Sequence, residues 1–549
     1  MNTLNKNASH SFAFLPDNNK PRNLFDRSHT YKTTFDAGFM VPIMCEPDIL
    51  PGDTVTLNNL SAFVRLNPLV TPVMDDLYLE FFATFVPYRL VWSNTKRFFG
   101  EQDNPADTTD YIIPQLQLPA SGGFPEGSVA DYFGLPTKVD YGTDSDGNLV
   151  TVNALPFRAS NLFYNEWIRD ENLQDSLSVP KDDGPDTWLL SDGTTLRYPL
   201  YRRGKRHDYY TSALPTPQKG DAVSLPLGAS APVIGNGVPI GIIDNATTTA
   251  SYTSLAMQSN GNVTTDNTLN ATYPLGLTST AANSGMIADL SSATAASITE
   301  FRHAIQVQAF QELCNRAGSR YTELILSHFG TRSPDARLQR PEILGVASMP
   351  LDISVVPQTS STDSTSPQAN LTAYGVFNSN PNNSLSFSHS FTEHGIMLIY
   401  ANVRANLTYQ NGLDRCWFRK TKFDFAWPIL SNTSEQVVFN KEIYMSGTPS
   451  TDDGVFGYQE RYAEYRYFPS KVTGLFRSNA SGSLDSYHFA QSFNSTPTLS
   501  SQFIEDNPPI SRALAIQNEP AFLGDFYFDM THARVLPLFG IPSSLGVHL

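Results

Sequence analysis

The densest run of chemistry-bearing side chains is Tyr201-Arg202-Arg203-Gly204-Lys205-Arg206-His207-Asp208-Tyr209-Tyr210. Two looser runs use the same residue types. One holds Arg415, Trp417, Arg419, Lys420 and Lys422; the other holds Arg461, Tyr462, Glu464, Tyr465, Arg466 and Tyr467. Cationic groups neutralise phosphates and aromatic rings stack on bases, so such runs suit single-stranded nucleic acid. The same side chains are enriched where proteins meet proteins, and arginines also pair with acidic loops. The sequence leaves these readings open. The candidates for a strand contact are Arg202, Arg203, Lys205, Arg206 and Tyr209.

Other motifs fail on spacing. His389-Ser-Phe-Thr-Glu393-His394 has the residues of a zinc site but matches neither HExxH nor HxxEH, and its surroundings read as strand. Asp144-Ser-Asp146-Gly147 hints at a calcium loop, yet Gly142 and Asn153 fall where ligands one and twelve belong. An Asp-Gly hairpin turn fits better. Gly235-Asn-Gly237-Val-Pro-Ile-Gly241 has one residue too many for a dinucleotide loop and opens no helix. There is neither GxSxG nor GxxxxGK[ST]. No catalytic residue, metal or cofactor is therefore expected. Carboxylates are plentiful, and sequence alone does not pair them across a fold. That keeps a β-rich carbohydrate-binding protein or glycosidase as the alternative reading.

A chain of 549 residues can bury a large core. Charged residues make up 16% of it, against about 25% in typical domains. Asn, Ser, Thr, Pro and aromatics take their place, which favours an all-β chain with long loops. A net charge of −16 excludes a bulk nucleic-acid condenser. It also argues against a single-stranded DNA-binding protein acting alone. Cys45, Cys314 and Cys416 are odd in number and far apart, so a disulfide framework is not expected and a reducing compartment fits. The polar N-terminus has no signal-peptide core. The most apolar run, Leu77–Trp92, is interrupted by Glu80, Pro87 and Arg89, so no membrane span is expected.

Strand patterns occur at Tyr31–Phe35, Phe39–Ile43, Thr54–Leu57, Ala62–Leu66 and Leu77–Val86. They resume at Gly395–Val403, Arg415–Trp427, Phe456–Tyr467 and Phe522–Asp529. Leu77–Val86 is apolar on both faces, which predicts burial on both sides. Helices are predicted at Leu162–Asp170, at Ser297–Arg316 behind a Ser297-x-x-Glu300 capping box, and at Tyr321–Phe329 before Gly330. Residues 352–383 read as a loop. Residues 222–297 contain no Lys, Arg, His, Cys, Phe or Trp, which marks a long surface excursion. The resulting layout is an N-terminal arm over 1–26, a core in two parts over 27–221 and 298–549, and the insertion 222–297. Strands far apart in sequence must pair, which is Greek-key or jelly-roll logic.

Several stretches carry a resemblance. They are Tyr31-Lys-Thr-Thr-Phe-Asp-Ala-Gly38, Leu50-Pro-Gly-Asp53, Met74-Asp-Asp-Leu-Tyr-Leu79, Phe85-Val-Pro-Tyr-Arg-Leu-Val-Trp92 and Asn165-Glu-Trp-Ile-Arg-Asp-Glu-Asn-Leu-Gln174. Further along come Arg203-Gly-Lys-Arg-His-Asp-Tyr209, Tyr321–Pro341, Gly457-Tyr-Gln-Glu-Arg461, Phe503-Ile-Glu-Asp506 and Gly524-Asp-Phe-Tyr-Phe-Asp529. Together they resemble the major capsid proteins of gokushoviruses, bacteriophages of the microvirus family with circular single-stranded DNA. The tail after Leu538-Phe-Gly-Ile-Pro542 departs from that pattern. The resemblance implies an all-β, eight-stranded jelly roll with long inter-strand loops, a few helices and one large surface insertion. It implies a self-assembling T=1 icosahedral shell without enzymatic activity, packed in the bacterial host cytoplasm. Implied partners are an internal scaffolding protein, a pilot protein, a small basic DNA-associated protein, packaged single-stranded DNA and a bacterial surface receptor. The insertion is expected to protrude around the three-fold axes, with Asp244, Tyr252, Asp266, Tyr273 and Asp289 as candidate receptor-facing side chains.

Overall fold

The computed structural model describes residues 22–119, 122–139, 150–221, 223, 298–356, 372–376 and 384–538, plus seven short strands between 233 and 288. The Asp144–Gly147 turn and residues 236–241 lie outside the described residues. Ten strands form two antiparallel sheets: β1 (Asn23–Asp26), β2 (His29–Phe35), β3 (Val41–Ile49), β4 (Thr54–Leu66), β5 (Leu77–Pro87), β6 (Glu342–Val356), β7 (Thr372–Val376), β8 (Phe387–Ser390), β9 (Gly395–Ala405) and β10 (Phe522–Arg534).

In the first sheet β10 is central. Period-2 alternation turns Phe522, Phe526, Phe528, Met530 and His532 inward, and Leu523, Asp525, Tyr527 and Asp529 outward. β1 and β2 pair with one edge of β10, β4 with the other, and β8 lies beyond β4. The two short patterns read in Thr54–Leu66 belong to a single strand. The inward set Val55, Leu57 changes phase to Leu60, Ala62, Val64, Leu66 across Asn58 and Asn59, where the register against β10 slips. That is a β-bulge, in which one extra residue flips the alternation.

The second sheet has the order β7, β6, β5, β9, β3. Its middle strands are covered on both sides: Gly395–Ala405 is buried throughout. The odd-numbered residues of β5, from Leu77 to Phe85, join the core between the sheets, where Phe81 meets Phe526 of the opposite sheet edge-on at 6.0 Å. The other face carries Val86, Ile396, Leu398 and Tyr400, covered by the long connection after β5. Helix α1 (Leu155–Phe163) supplies Phe163, stacked on Tyr400 at 4.8 Å.

Sequence and structure differ at several elements. Asn23–Asp26, counted with the N-terminal arm, pairs as β1. Helix α1 starts earlier than Leu162, because the Asn153 side chain accepts the Leu155 N–H at 2.9 Å, and it widens into a π-turn over Tyr164–Ile168. Within the 352–383 loop, Asp352–Val356 pairs with Thr372–Val376. The surrounding Ser, Thr and Asn hid the β-branched and aromatic positions Ile353, Val355, Tyr374 and Val376. Arg415–Trp427 is not a strand; it makes 3-10 turns at Arg415–Phe418 and Lys422–Asp424. Asp424 fixes the second turn by accepting the Lys420 and Thr421 N–H groups. Of Phe456–Tyr467, only Val455–Gln459 is a strand, paired with Gln436–Phe439.

Residues Gln218–Arg316 form a separate compact unit. It contains short antiparallel strands, among them Ile242–Asp244 between Ser251–Tyr252 and Leu275–Leu277, and most of helix α2 (Ile298–Ala317). Helix α3 (Tyr321–Phe329), in the main unit, stops at Gly330, whose φ of +65° is the left-handed conformation glycine accepts without strain. No helix among the described residues is long and apolar enough to cross a membrane.

His532 yields a pH prediction. It is fully buried, and neither ring nitrogen has a hydrogen-bond partner among the described residues. Burial, reinforced by the charges of Arg534 and Arg27, pushes its pKa from 6.5 down to about 4. A base with a depressed folded-state pKa stabilises the fold above its unfolded value and loses that contribution as pH falls through the folded one. The window therefore runs from pH 6.5 down to about 4. His532→Leu should lose less stability than the parent across this window, read as urea midpoints. Parallel losses in the two proteins would refute it.

Candidate functional site

The basic run lies across the outer face of the second sheet. Backbone hydrogen bonds fix it from both sides: Met40 N–H to Tyr201 O at 3.0 Å, Arg203 N–H to Gly38 O at 2.8 Å, Lys205 N–H to Ile504 O at 2.7 Å and Asp506 N–H to Arg203 O at 2.8 Å. Gly38, at φ +81°, is required there, since a Cβ would come within 2.0 Å of the Asp506 carbonyl oxygen. Beneath the run is Glu80, the one carboxylate of β5, 5% exposed. Arg203 pairs with it directly. Arg206 Nη2 donates to Glu80 Oε1 at 3.1 Å and Arg404 Nη2, from β9, at 2.8 Å. Burial pushes the Glu80 carboxyl up, but the Arg404 hydrogen bond and the three guanidinium charges outweigh it and hold the pKa below its ordinary value. The guanidiniums also lie over rings of the same face: Arg203 over Phe82 at 4.4 Å and Arg206 over Tyr78 at 4.2 Å.

The other residues of the run are committed in the same way. Arg202 lies over Phe39 at 3.9 Å and donates to the Ala37 and Asp506 carbonyls. Lys205 is 6% exposed, its ammonium over Phe503 at 4.4 Å, and burial pushes its pKa down to about 8. Burial likewise raises the Asp506 carboxyl to about 6, against the pull of Arg404 and Lys205. Tyr209 is buried, donates to Glu442 Oε2 at 3.0 Å and stacks on Tyr467 at 5.5 Å. The structure thus brings all five candidates for a DNA contact together, but facing their own chain.

Sequence reading named the cations and not their partners. The available signal was Glu80 itself: a lone carboxylate in a strand buried on both faces needs a cation. A second such pair escaped notice. Arg158 of α1 is fully buried and holds Asp186 through two 2.8 Å hydrogen bonds, while Tyr198 donates to the same carboxylate at 2.5 Å.

The apparent zinc motif scatters. His389 is 3.8 Å from Glu342, Glu393 holds Arg89 in a bidentate pair, and His394 stacks on Phe99 at 3.9 Å. No cluster among the described residues could hold a metal ion. Of the insertion candidates, Asp244 and Tyr252 fall on paired strands, opposite Leu275 and Ile242. Asp266, Tyr273 and Asp289 lie outside the described residues.

The connection between β9 and β10 presents a different surface. Ile429 and Phe468 are 87% and 91% exposed, and Phe425, Trp427 and Leu475 are about half exposed. The two looser basic–aromatic runs meet here, with Arg419 over the Tyr465 ring at 4.5 Å. Isolated apolar side chains on a surface are ordinary, but several in one connection suit contact with another body.

A sandwich whose outer face is closed by its own insertions, and whose β9–β10 connection leaves aromatics uncovered, suits a structural subunit. The comparisons specify which kind. The family described as capsid protein (F protein) matches residues 13–544. The chain is 44% identical to capsid protein VP1 of Bdellovibrio phage phiMH2K, with 98% of each chain covered. It is 39% identical to capsid protein VP1 of Chlamydia phage 1 and 35% to that of Spiroplasma virus 4, each with 97% of both chains covered. The chain belongs to the capsid protein (F protein) family, in its gokushovirus branch. It is a structural major capsid protein, not an enzyme, and its place is in the virion.

The clamp gives a stability prediction. Breaking a buried ion pair from one side leaves uncompensated charge and costs about 3–5 kcal/mol. Glu80→Gln keeps the shape, strands three guanidiniums and should destabilise the unassembled chain by about that amount in urea unfolding. A change below about 0.5 kcal/mol, the range of ordinary surface substitutions, would show that the arginines find other partners.

Proposed function

We propose that the chain forms a T=1 icosahedral shell enclosing circular single-stranded DNA. The observation that carries this is a match to capsid proteins over nearly the full length of both partners. The strand order supports the reading of the fold as an eight-stranded jelly roll. If β1 and β2 count as one interrupted strand and β7 as an added hairpin arm, four strands remain in each sheet. Their orders, β1/β2–β10–β4–β8 and β6–β5–β9–β3, are those of a doubled Greek key.

Shell formation requires each copy to bury surface against several neighbours, about 1,200–2,000 Å² for a standard interface. The uncovered apolar side chains between β9 and β10 suit that role. The run Arg202–Tyr209 serves, in this reading, as a clamp within the subunit; contact with DNA there would require the clamp to open. A shell protein at −16 does not neutralise a genome, which fits a separate small basic DNA-associated protein. A scaffolding protein and a pilot protein complete the proposed partners, with assembly in the bacterial host cytoplasm.

The insertion 222–297 is proposed to be displayed for host attachment. Its small polar composition and its inclusion in the separate unit Gln218–Arg316 support this. Loop-closure cost grows slowly with length, so such a segment burdens the scaffold little. Co-expression with the scaffolding protein of the same virus should give closed shells of one diameter by electron microscopy; soluble monomers alone would overturn the assembly reading. Replacing 222–297 by a short Gly/Ser linker should preserve shells and impair adsorption to host cells. Loss of shells would instead make the segment an inter-subunit contact.

A further inference from the structure

Where the two looser basic–aromatic runs meet, they enclose a cavity of about 410 Å³ between the turns 415–424, the strand Gln436–Phe439 and residues 461–464. Five cationic side chains line it, namely Arg415, Arg419, Lys420, Lys441 and Arg461, against the carboxylates of Asp424 and Glu464. Several charges are already used. Arg415 pairs with Glu442, Arg419 with Glu464, and Lys441 with Asp453. Asp424 is occupied by two backbone N–H groups. Lys420 and Arg461 make no ion pair among the described residues.

Three buried polar atoms at this cavity have no hydrogen-bond partner among the described residues: Arg419 Nε, Arg461 Nε and the Tyr462 hydroxyl. All three can donate. Tyr462 is 8% exposed and sits at φ +64°, a conformation a bulky residue adopts only when its surroundings impose it. Leaving a buried donor unsatisfied is costly, so three of them at one cavity point to a missing acceptor. The walls are aromatic: Phe418 and Phe439 inside, and Phe423, 57% exposed, at the rim.

We propose that this cavity binds a phosphodiester of single-stranded DNA. The phosphate oxygens accept from Arg419, Arg461 and Tyr462, Lys420 adds charge, and a neighbouring base stacks on Phe423. An anion fits a lining in which five cations face two carboxylates, and an anion carrying a planar base fits the aromatic rim better than a carboxylate does. The proposal rests on the reading of the chain as a subunit that encloses a single-stranded genome.

The test uses the full-length chain and a fluorescein-labelled oligo-dT, read by anisotropy over a salt series. Each phosphate contact on a single strand contributes about 0.7 to the slope of log K against log salt. The double variant Lys420→Gln/Arg461→Gln should flatten that slope by about 1.4 and weaken binding at least about fivefold. Phe423→Leu should weaken binding about fivefold with the slope unchanged, since stacking is less salt-sensitive. Lys32→Gln, on the first sheet, should change nothing. Unchanged affinity and slope in the double variant would overturn the proposal. Equal competition by inorganic phosphate and by unlabelled oligonucleotide, at equal phosphate concentration, would assign the cavity to a free anion and overturn it too. If the double variant folds but no longer forms shells, the cavity receives a neighbouring subunit's carboxylate and the proposal is likewise overturned. A parent chain that binds oligo-dT but never forms shells would overturn the assembly reading and leave this one standing.

Discussion

A single carboxylate buried in the middle of a sheet organises the outer half of this molecule. Glu80 lies on β5, between β6 and β9, with Ser348 and Asn402 opposite it across the ladders. A charge in that position is intolerable unless paired. Three arginines pair it, and two of them come from the connection that follows β5. Satisfying one charge therefore fixes where residues 203–206 run. That in turn fixes the neighbouring contacts with residues 38–40 and 504–506. The clamp positions long connections, which in this fold carry everything the sandwich does not.

The sandwich explains why such connections are tolerated. Its first sheet is closed by strands from both ends of the chain: β10 pairs with β1, β2 and β4. Once those ladders form, the 254 residues between β5 and β6 and the 116 between β9 and β10 are loops between fixed points. Lengthening such a loop adds little entropic cost. The inter-sheet core, with Phe81 against Phe526, supplies the stability. The connections cover the outer face of one sheet and present new surface. A capsid subunit needs this division, because its contacts with neighbouring copies must be specific while its core stays rigid.

Two basic–aromatic surfaces of similar composition end in opposite states. Around Glu80 three arginines pair with that carboxylate, and two of them also lie over rings of their own chain. Around Tyr462 the donors outnumber the acceptors and several rings stay uncovered. Composition does not distinguish these cases; the count of acceptors within reach does.

Much of the fold could be read from the sequence, because alternation and turn chemistry are local. The inward face of β10, the double-sided burial of β5 and the stop of α3 at Gly330 all follow from residues a few positions apart. Full-length similarity of residue pattern carried the family as well. The sequence misled where local pattern lacked a partner: Arg415–Trp427 alternates like a strand, yet no strand among the described residues pairs with it, and it folds into turns, the second held by Asp424. The basic run was visible as residues, but its role was not, since Glu80 lies 123 and 126 positions from Arg203 and Arg206 and 324 from Arg404. Sequence determines which side chains carry charge and which face of a strand is apolar. Only the tertiary fold decides which charges are neutralised internally, because that depends on distances between residues hundreds of positions apart, and Coulomb and hydrogen-bond energies act across those distances alone.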